Sequence, residues 1–225
     1  MSTPILILGE SGSGKSSAMR HLDPSRTLLI QAVRKSLPWK LADHPGWARW
    51  DDEKKTGNIF VSDNAEMIAT LMKGTKKKVI VIDDYQYILS NELLRRWQDK
   101  GFDKFSQVGY NGLNLFHIAA SLPDDVHVYF MAHTMIDEDG ITKVKTPGKL
   151  MSTYTVEGLF SMVLRAVIRD GQHFLATKNS GSDTVKSPVG MFSEELIPND
   201  LALVEKAVVE FGWGGEVPSS LVVAK

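Results

Sequence analysis

The residues with the clearest chemical meaning form a glycine- and serine-rich segment, GESGSGKSS, near the start of the sequence. Gly9, Gly14, Lys15 and Ser16 fill the pattern G-x-x-x-x-G-K-[ST], between an apolar run and a helix-forming one. Glycine lets successive backbone N–H groups point at phosphate oxygens, and the next helix offers further free N–H groups. Lys15 is expected to reach the β- and γ-phosphates and the Ser16 hydroxyl to ligate Mg²⁺, which predicts a site for ATP and Mg²⁺. The predicted phosphate-binding residues are Gly9, Glu10, Ser11, Gly12, Ser13, Gly14, Lys15, Ser16 and Ser17.

Two acidic residues stand where such a site needs a carboxylate. Val79 to Ile82 is an apolar, β-branched run typical of a buried parallel strand, and Asp83 and Asp84 follow it directly. Asp83 is the expected carboxylate on the metal side, holding Mg²⁺ through water. Asp84 is the leading candidate for orienting or deprotonating the attacking water. Without the glycine-rich segment, the same two acids could simply cap a strand-to-helix turn.

Composition limits the kind of protein. The 225 residues include 26 Lys plus Arg and 27 Asp plus Glu, a formal net charge of −1, and 43 % of them are hydrophobic. These values are typical of a globular protein and supply no strong overall field for nucleic acid or an anionic membrane. The sequence contains no Cys, which removes disulfides, thiolate chemistry and Cys-based zinc sites. No apolar run approaches the roughly 20 residues of a membrane span and the first residues lack a basic segment, so we expect a soluble, cytoplasmic protein without a membrane partner.

Candidate strands and helices alternate along the chain, which is typical of an α/β protein with a mainly parallel central sheet flanked by helices. The candidate strands are Pro4 to Leu8, Thr27 to Val33, Asn58 to Val61, Val79 to Ile82 and Val126 to Ala132. The candidate helices are Ala65 to Met72, Glu92 to Asp99 and Gly112 to Leu122. A late antiparallel hairpin is expected around Asp170-Gly171-Gln172, because Asp-Gly favours a tight hairpin turn.

The chain is expected to form one domain, because it contains no repeat and no low-complexity linker. Residues 1–195 form the predicted core, and residues 196–225 form a C-terminal helical extension of the same domain. In this extension, Asp200 to Phe211 carries apolar and charged residues at helical spacing.

The separation of the two motifs narrows the class. Lys15 and Asp83 are 68 residues apart, with two candidate strands between them, so another strand can lie between the two motif-bearing strands. With GESGSGKSS, VIVIDDYQYI and VYFMAHT in this order, then a lysine-bearing loop and a hairpin ending in TKNSGSD, the chain resembles the RecA-like branch of P-loop ATPases. In particular, it resembles the small phage ATPases related to single-strand-annealing recombinases, over about residues 4–192. The resemblance implies a RecA-like P-loop NTPase fold and a homo-oligomeric ring or filament, in the host cytoplasm if the protein is phage-encoded.

The resemblance also implies roles for single residues. His133 follows a strand where RecA-like proteins place a polar sensor of the γ-phosphate, although a His that merely ends a strand fits equally well. Lys178 resembles the cation that related oligomers insert into a neighbour's site to stabilise transition-state charge, with a solvated hairpin lysine as the alternative. Relatives usually carry a catalytic Glu at the end of the second strand, where this chain has Gln31. This difference shifts the water-activating role towards Asp84, with Glu10 as a weaker candidate.

Two segments could contact nucleic acid. Lys143, Lys145 and Lys149 lie in a stretch without acidic residues, where RecA-like proteins place a DNA-contacting loop, so single-stranded DNA is a candidate partner. A mobile solvated loop is the alternative. The second segment, Ser36 to Gly57, carries three Trp beside basic residues. These Trp could stack on bases, but packing onto the domain is favoured because an acidic cluster follows the third Trp.

Three functional hypotheses follow. The first is an oligomeric RecA-like ATPase acting in phage DNA metabolism, in recombination or single-strand annealing. The second is a small-molecule P-loop kinase, which is disfavoured because the stretch between Lys100 and Arg165 has no Arg for a lid over two nucleotides. The third is a nucleotide-gated assembly factor, such as a helicase loader, with little turnover. The absence of an acid at Gln31 motivates this third hypothesis.

Overall fold

The computed structural model describes residues 2–146 and 154–215, which form ten strands, four α-helices and two short 3₁₀ helices. The strands are β1 (Pro4–Leu8), β2 (Thr27–Gln31), β3 (Ile59–Val61), β4 (Val79–Asp83), β5 (His127–Ala132), β6 (Thr134–Ile136), β7 (Thr142–Val144), β8 (Met162–Arg169), β9 (Gln172–Ala176) and β10 (Leu196–Pro198). The α-helices are α1 (Ala65–Gly74), α2 (Gln86–Arg95), α3 (Asp103–Ser121) and α4 (Leu201–Glu210), and the 3₁₀ helices are Ser16–His21 and Val156–Leu159. In these parts of the chain, no helix combines the length and apolar character needed to cross a membrane.

Eight strands form one sheet in the order β10-β9-β8-β1-β5-β4-β2-β3. Every neighbouring pair from β8 to β3 is parallel, whereas β9 and β10 join antiparallel at one edge. The inner strands β1, β4 and β5 are buried along their whole length, as expected for parallel strands covered on both faces. The predicted α/β class, with a mainly parallel central sheet and flanking helices, is confirmed.

The position of β5 brings the two motifs together. β5 pairs in parallel with β1 on one side and with β4 on the other, so that Leu6, Phe130 and Ile82 lie at one level of the sheet. The glycine-rich segment leaves β1 and Asp83 ends β4 at the same carboxyl edge, one strand apart. This is the intervening strand for which the 68-residue spacing leaves room.

Alternate side chains of β1 enter two apolar cores on opposite faces of the sheet. Leu6 and Leu8 pack in the core formed with α1, α2 and α3. Ile5 and Ile7 pack in the other core, with the first 3₁₀ helix and α4. Because strand side chains alternate between faces, an all-apolar strand requires helices on both sides. Each of these four fully buried side chains contributes about 1.5–3 kcal/mol of burial free energy.

The predicted late hairpin is formed by β8 and β9. Its two turn residues, Asp170 and Gly171, have φ angles of 51° and 74°. Two consecutive residues with positive φ define the tight hairpin turn whose twist matches that of the flanking strands, and Asp-Gly is a preferred pair for it. The hairpin is therefore confirmed. Because β8 continues past the level of Leu8, the turn stands above the carboxyl edge of the sheet.

Two helices begin earlier than the sequence pattern predicts. A helix was expected at Glu92 to Asp99 and another from Gly112, but α2 and α3 start before these positions and the chain turns between them. The turn is held by the ammonium group of Lys104, which donates to the carbonyl oxygens of Arg96 at 3.1 Å and Asp99 at 2.8 Å. These carbonyls follow the end of α2 and would otherwise lack helical partners.

A buried polar cluster attaches α4 to the sheet. The carboxylate of Glu205 accepts a hydrogen bond from the Tyr129 hydroxyl at 2.6 Å and lies 2.8 Å from Nδ1 of His127. All three side chains are buried, and both of the partners belong to β5. Since an unpartnered buried charge is costly, this cluster fixes the start of the predicted C-terminal extension to the core. Residues 216–225 of that extension lie outside the described residues.

Removal of the Glu205 carboxylate should strongly destabilise the protein. Glu205→Ala leaves two buried polar partners unsatisfied, so the free energy of unfolding should fall by about 3–5 kcal/mol in urea denaturation. Glu210→Ala is the matched control on the same helix, because the Glu210 side chain is exposed and its ion pair with Lys206, at 3.8 Å, lies at the surface. It should change stability by less than about 0.5 kcal/mol. Equal effects of the two substitutions would contradict the structural role of the cluster.

The same cluster predicts a pH dependence. Burial alone would lower the pKa of His127, but the hydrogen bond and charge of Glu205 outweigh burial and raise this pKa above its ordinary value of 6.5. The resulting stability is fully present below pH 6.5 and is lost as the pH rises through the folded-state pKa. The stability difference between the wild type and Glu205→Gln should therefore shrink as the pH is raised from 6.5 through the folded-state pKa of His127. A difference that stays constant over this range would contradict the assignment.

Candidate nucleotide-binding site

The glycine-rich loop between β1 and the first 3₁₀ helix is shaped by two glycines. Gly12 and Gly14 have φ angles of 81° and 95°, which favour glycine. A Cβ atom on Gly14 would lie 2.7 Å from Nδ2 of Asn199 and 2.8 Å from Nδ1 of His173. Asn199 donates to the Gly14 carbonyl at 2.8 Å, and His173 Nδ1 lies 2.9 Å from the carbonyl oxygen of Ser13. The late hairpin and the residue next to the α4 N-cap therefore hold the loop from outside.

Lys15 and Ser16 occupy the positions that the motif predicts for phosphate and metal binding. The Lys15 ammonium is buried and donates to the carbonyl oxygens of Gly9 at 2.7 Å and Glu10 at 2.8 Å. Burial is the main reason why the pKa of Lys15 is lowered to about 8. The Ser16 hydroxyl donates to the Asp83 carboxylate, with distances of 3.1 and 3.2 Å to its two oxygens. The structure thus joins the two sequence motifs in one site.

Asp83 lies at the carboxyl end of β4 and is 3 % exposed. Burial, with a smaller contribution from the neighbouring Asp84 charge, raises the pKa of Asp83 to about 6. A buried carboxylate with a raised pKa lacks a full countercharge. The Ser16 hydroxyl and the Asp83 carboxylate are hard oxygen donors of the kind that Mg²⁺ prefers. These two residues therefore fit the predicted ion, which when bound would offset the charge of the phosphates.

The Ser13 hydroxyl is a second buried polar group of the glycine-rich loop. Its oxygen is buried and has no hydrogen-bond partner within the described ranges. A buried hydroxyl without a partner is costly. A Cβ atom on Gly9 would lie 2.4 Å from this oxygen, so the hydroxyl packs against the start of the loop, and Ser13 does not line the cavity shared by Lys15 and Asp84.

Asp84 has a left-handed backbone, with a φ angle of 62°, and its side chain is held from two sides. The Lys35 ammonium donates to one carboxylate oxygen, and Nε2 of His133 lies 3.1 Å from the other. Burial would raise the pKa of Asp84, but the His133 and Lys35 contacts outweigh it and lower this pKa to about 2. Such a carboxylate is a weak base. It suits the predicted role of orienting water better than that of deprotonating it.

A cavity of about 250 Å³ lies between the glycine-rich loop and Asp84. Its lining residues are Ser11, Gly12, Gly14, Lys15, Ser16, Ser17, Lys35, Pro38, Asp84, His133 and His173. Lys35 and His173 were not assigned a role from the sequence. Lys35 had a positional signal, since it follows closely after a strand that ends at the carboxyl edge. His173 had none, because its contact with the loop joins residues 160 positions apart.

Gln31 ends β2 at the same level of the sheet as Asp83. It is 2 % exposed, and its side-chain oxygen accepts a hydrogen bond from Arg49 at 3.3 Å. The position at which the resemblance predicts a Glu is therefore beside Asp83, the carboxylate predicted to hold the metal. An amide paired with an arginine stands there instead.

Other predicted residues lie elsewhere. The ammonium group of Lys178 donates to the Ser193 carbonyl at 2.8 Å and does not line the cavity of the glycine-rich loop. Lys143 forms an ion pair with Asp137 at 3.1 Å, and the backbone N–H of Lys145 donates to the His133 carbonyl at 2.7 Å. This places the start of the lysine-bearing loop beside the site. Lys149 lies outside the described residues.

The tryptophans of the long connection pack against the domain. Trp47 is 4 % exposed, and its ring meets that of Trp39 edge to face at 5.7 Å. Trp50 stacks on Phe60 of β3 at 4.7 Å. These contacts favour the packing interpretation over base stacking.

Comparisons with known proteins leave the family open. No family model matches the sequence, and no curated protein matches it. Among solved structures, a KaiC-like protein from the hyperthermophilic archaeon Pyrococcus horikoshii OT3 is similar, with a TM-score of 0.43 and 17 % sequence identity over 77 % of this chain and 78 % of that one.

The two glycines provide a matched test of the loop geometry. Gly12→Ala and Gly14→Ala both place a side chain at positive φ, which costs about 1–2 kcal/mol. Only Gly14→Ala also clashes with His173 and Asn199, since a Cβ at Gly12 meets no atom within 4 Å. The melting temperature without nucleotide should therefore fall further for Gly14→Ala, with each kcal/mol lowering it by about 2–4 °C. Equal decreases would contradict the packing of the hairpin on the loop.

Proposed function

We propose that this chain is a P-loop ATPase that binds ATP with Mg²⁺ at the glycine-rich loop and hydrolyses the bond to its γ-phosphate. The hydrogen bond between Ser16 and Asp83, next to the buried Lys15, is the observation that carries this proposal. It supports the proposal because phosphoryl transfer needs a phosphate cradle, a lysine and a metal-side carboxylate in one place. The charged and hydroxyl groups of the site fit a phosphate ligand better than they fit an apolar one.

In the proposed reaction, a water oxygen attacks the γ-phosphorus in line with the bond to the β,γ-bridging oxygen. The new P–O bond forms as the bridging bond breaks, giving ADP and inorganic phosphate. Lys15 stabilises the charge on the phosphate oxygens, and Asp84 orients the water by accepting its hydrogen bond. Because Asp84 is a weak base, the proton of the water leaves with the phosphate product and passes to solvent. His133 senses the γ-phosphate through its contact with Asp84.

Lys15→Ala should lower the rate of ATP hydrolysis by at least about 100-fold, because it removes the ammonium that stabilises transition-state charge. Phosphate release with Mg²⁺ is the measurement, and circular dichroism checks that the variant is folded. Lys54→Ala is the control, since Lys54 is an exposed lysine in a surface ion pair with Asp51 at 3.4 Å. An unimpaired Lys15→Ala variant would overturn the assignment.

A second candidate function is that of a nucleotide-gated assembly factor with little turnover. The contacts of Asp84 with Lys35 and His133 favour it, because they occupy the carboxylate proposed to orient water. The amide of Gln31, at a position where an acid is expected, also favours an assembly factor with little turnover. Measurement of ATP hydrolysis alone, with single-stranded DNA and with duplex DNA separates the two. Tight ATP binding with a negligible rate under all three conditions would favour the assembly factor.

The proposed biological setting is phage DNA metabolism, in recombination or single-strand annealing, with a homo-oligomeric ring or filament as the working form. Lys143, Lys145 and Lys149 are the proposed contacts to DNA phosphates. The hydrogen bond from the Lys145 backbone to the His133 carbonyl supports a link between this loop and the ATP site. Lys178 is proposed to act in the site of a neighbouring subunit.

Single-stranded DNA should stimulate ATP hydrolysis, and the triple variant Lys143→Ala/Lys145→Ala/Lys149→Ala should lose most of this stimulation while keeping the basal rate. Binding to DNA should also become less salt-dependent, because each lost phosphate contact reduces the slope of log affinity against log salt by about 1. Lys54→Ala/Lys55→Ala is the matched control. Unchanged stimulation in the triple variant would exclude this loop as the DNA contact.

A further inference from the structure

Lys35 is a second lysine in the wall of the phosphate cavity. It belongs to the connection between β2 and β3, and it lines the same 250 Å³ space as Lys15, Asp84 and His133. The position of its backbone is fixed, because Arg49 donates to the Lys35 carbonyl oxygen at 2.7 Å. The Lys35 side chain therefore extends from a backbone position that is held at the edge of the site.

The head of the Lys35 side chain is also placed, by two further contacts. It donates a hydrogen bond to the Asp84 carboxylate and lies 5.6 Å from the centre of the Tyr87 ring. Tyr87 in turn packs edge to face with His133, at 6.2 Å. These contacts distinguish Lys35 from a solvated surface lysine.

Lys35 and Lys15 differ in their freedom to move. The Lys35 side chain is 49 % exposed, whereas Lys15 is buried and hydrogen-bonded to loop carbonyls. Asp84 keeps a second partner, His133, when Lys35 moves away. Departure of Lys35 therefore does not leave the buried carboxylate without a partner, and a triphosphate in the cavity attracts the free ammonium strongly.

We propose that Lys35 binds the γ-phosphate of ATP within its own chain, and that it exchanges its contact with Asp84 for this phosphate when the nucleotide enters. The proposal rests on the ATP site proposed above and assigns to it a cation beyond the glycine-rich loop. Release of Lys35 frees one carboxylate oxygen of Asp84 to accept a hydrogen bond from water. Since ADP lacks the γ-phosphate, Lys35 distinguishes ATP from ADP.

The test compares the affinity for ADP with that for the non-hydrolysable analogue β,γ-imido-ATP, both with Mg²⁺. Lys35→Ala should weaken binding of the analogue about 10-fold to 100-fold, as expected for loss of a charge-assisted hydrogen bond. Its affinity for ADP should stay within about twofold, because the α- and β-phosphates keep their contacts with the loop. Lys35→Arg should restore much of the lost affinity, and Lys54→Ala should behave like the wild type.

Loss of Lys35 also leaves the Asp84 charge less compensated, and this charge could by itself repel the γ-phosphate. The Asp84→Asn background separates the two effects. If Lys35 contacts the phosphate, adding Lys35→Ala to Asp84→Asn still weakens binding of the analogue relative to ADP. If Lys35 only neutralises Asp84, the double variant binds the analogue as well as Asp84→Asn does, and the proposal is overturned.

Two further outcomes are decisive. Equal loss of affinity for ADP and the analogue in Lys35→Ala would show a structural role and overturn the inference, leaving the proposed ATPase intact. Failure of the wild type to bind either nucleotide would overturn the ATPase proposal and this inference together. The inference is supported if Lys35→Ala weakens binding of the analogue more than binding of ADP, both in the wild type and in Asp84→Asn, and if Lys35→Arg restores the affinity.

Discussion

The parallel pairing of β5 with both β1 and β4 is the constraint on which the site depends. Backbone hydrogen bonds fix Leu6, Phe130 and Ile82 at one level, so the glycine-rich loop and Asp83 leave the sheet at one edge. The Ser16–Asp83 hydrogen bond follows from this register, because a shift of one residue would turn the Asp83 side chain to the other face. The apolar side chains on both faces of these strands therefore secure the geometry of the polar site.

The charged side chains of the site are bound by neighbouring protein groups at positions where a ligand could also bind them. Lys15 is bound by the carbonyl oxygens of its own loop, Asp83 by the Ser16 hydroxyl, and Asp84 by Lys35 and His133. The lowered pKa of Lys15 and the raised pKa of Asp83 show that burial still disfavours the charged forms. An anionic ligand with its cation would replace these weaker contacts, which couples binding to rearrangement of the same side chains.

The sequence was informative where chemistry is local and uninformative where contacts are distant. The loop pattern, the apolar strand before Asp83 and the Asp-Gly turn each lie within a few residues, so the fold class and the hairpin could be predicted. The start of α2 was missed because tertiary contacts decide where it begins: the Tyr85 N–H donates to the Met131 carbonyl, and the Gln86 side chain accepts from the His133 N–H. The contacts of His173 and Asn199 with the loop could not be predicted, since they depend on the sheet order that brings distant segments together.

The carboxyl end of β2, which neighbours β4, differs from the pattern that the resemblance predicts. At the end of β2, where the resemblance predicts an acid, the chain has Gln31, which is paired with Arg49. Asp84, which follows β4, supplies a carboxylate instead. A cation, Lys35, follows β2 and meets that carboxylate. Acid and cation thus follow two adjacent strands at the same edge of the sheet and neutralise each other across the cavity. The proposed water-orienting carboxylate is then available only when another anion draws Lys35 away, so the presence of the γ-phosphate would itself prepare the site for its hydrolysis.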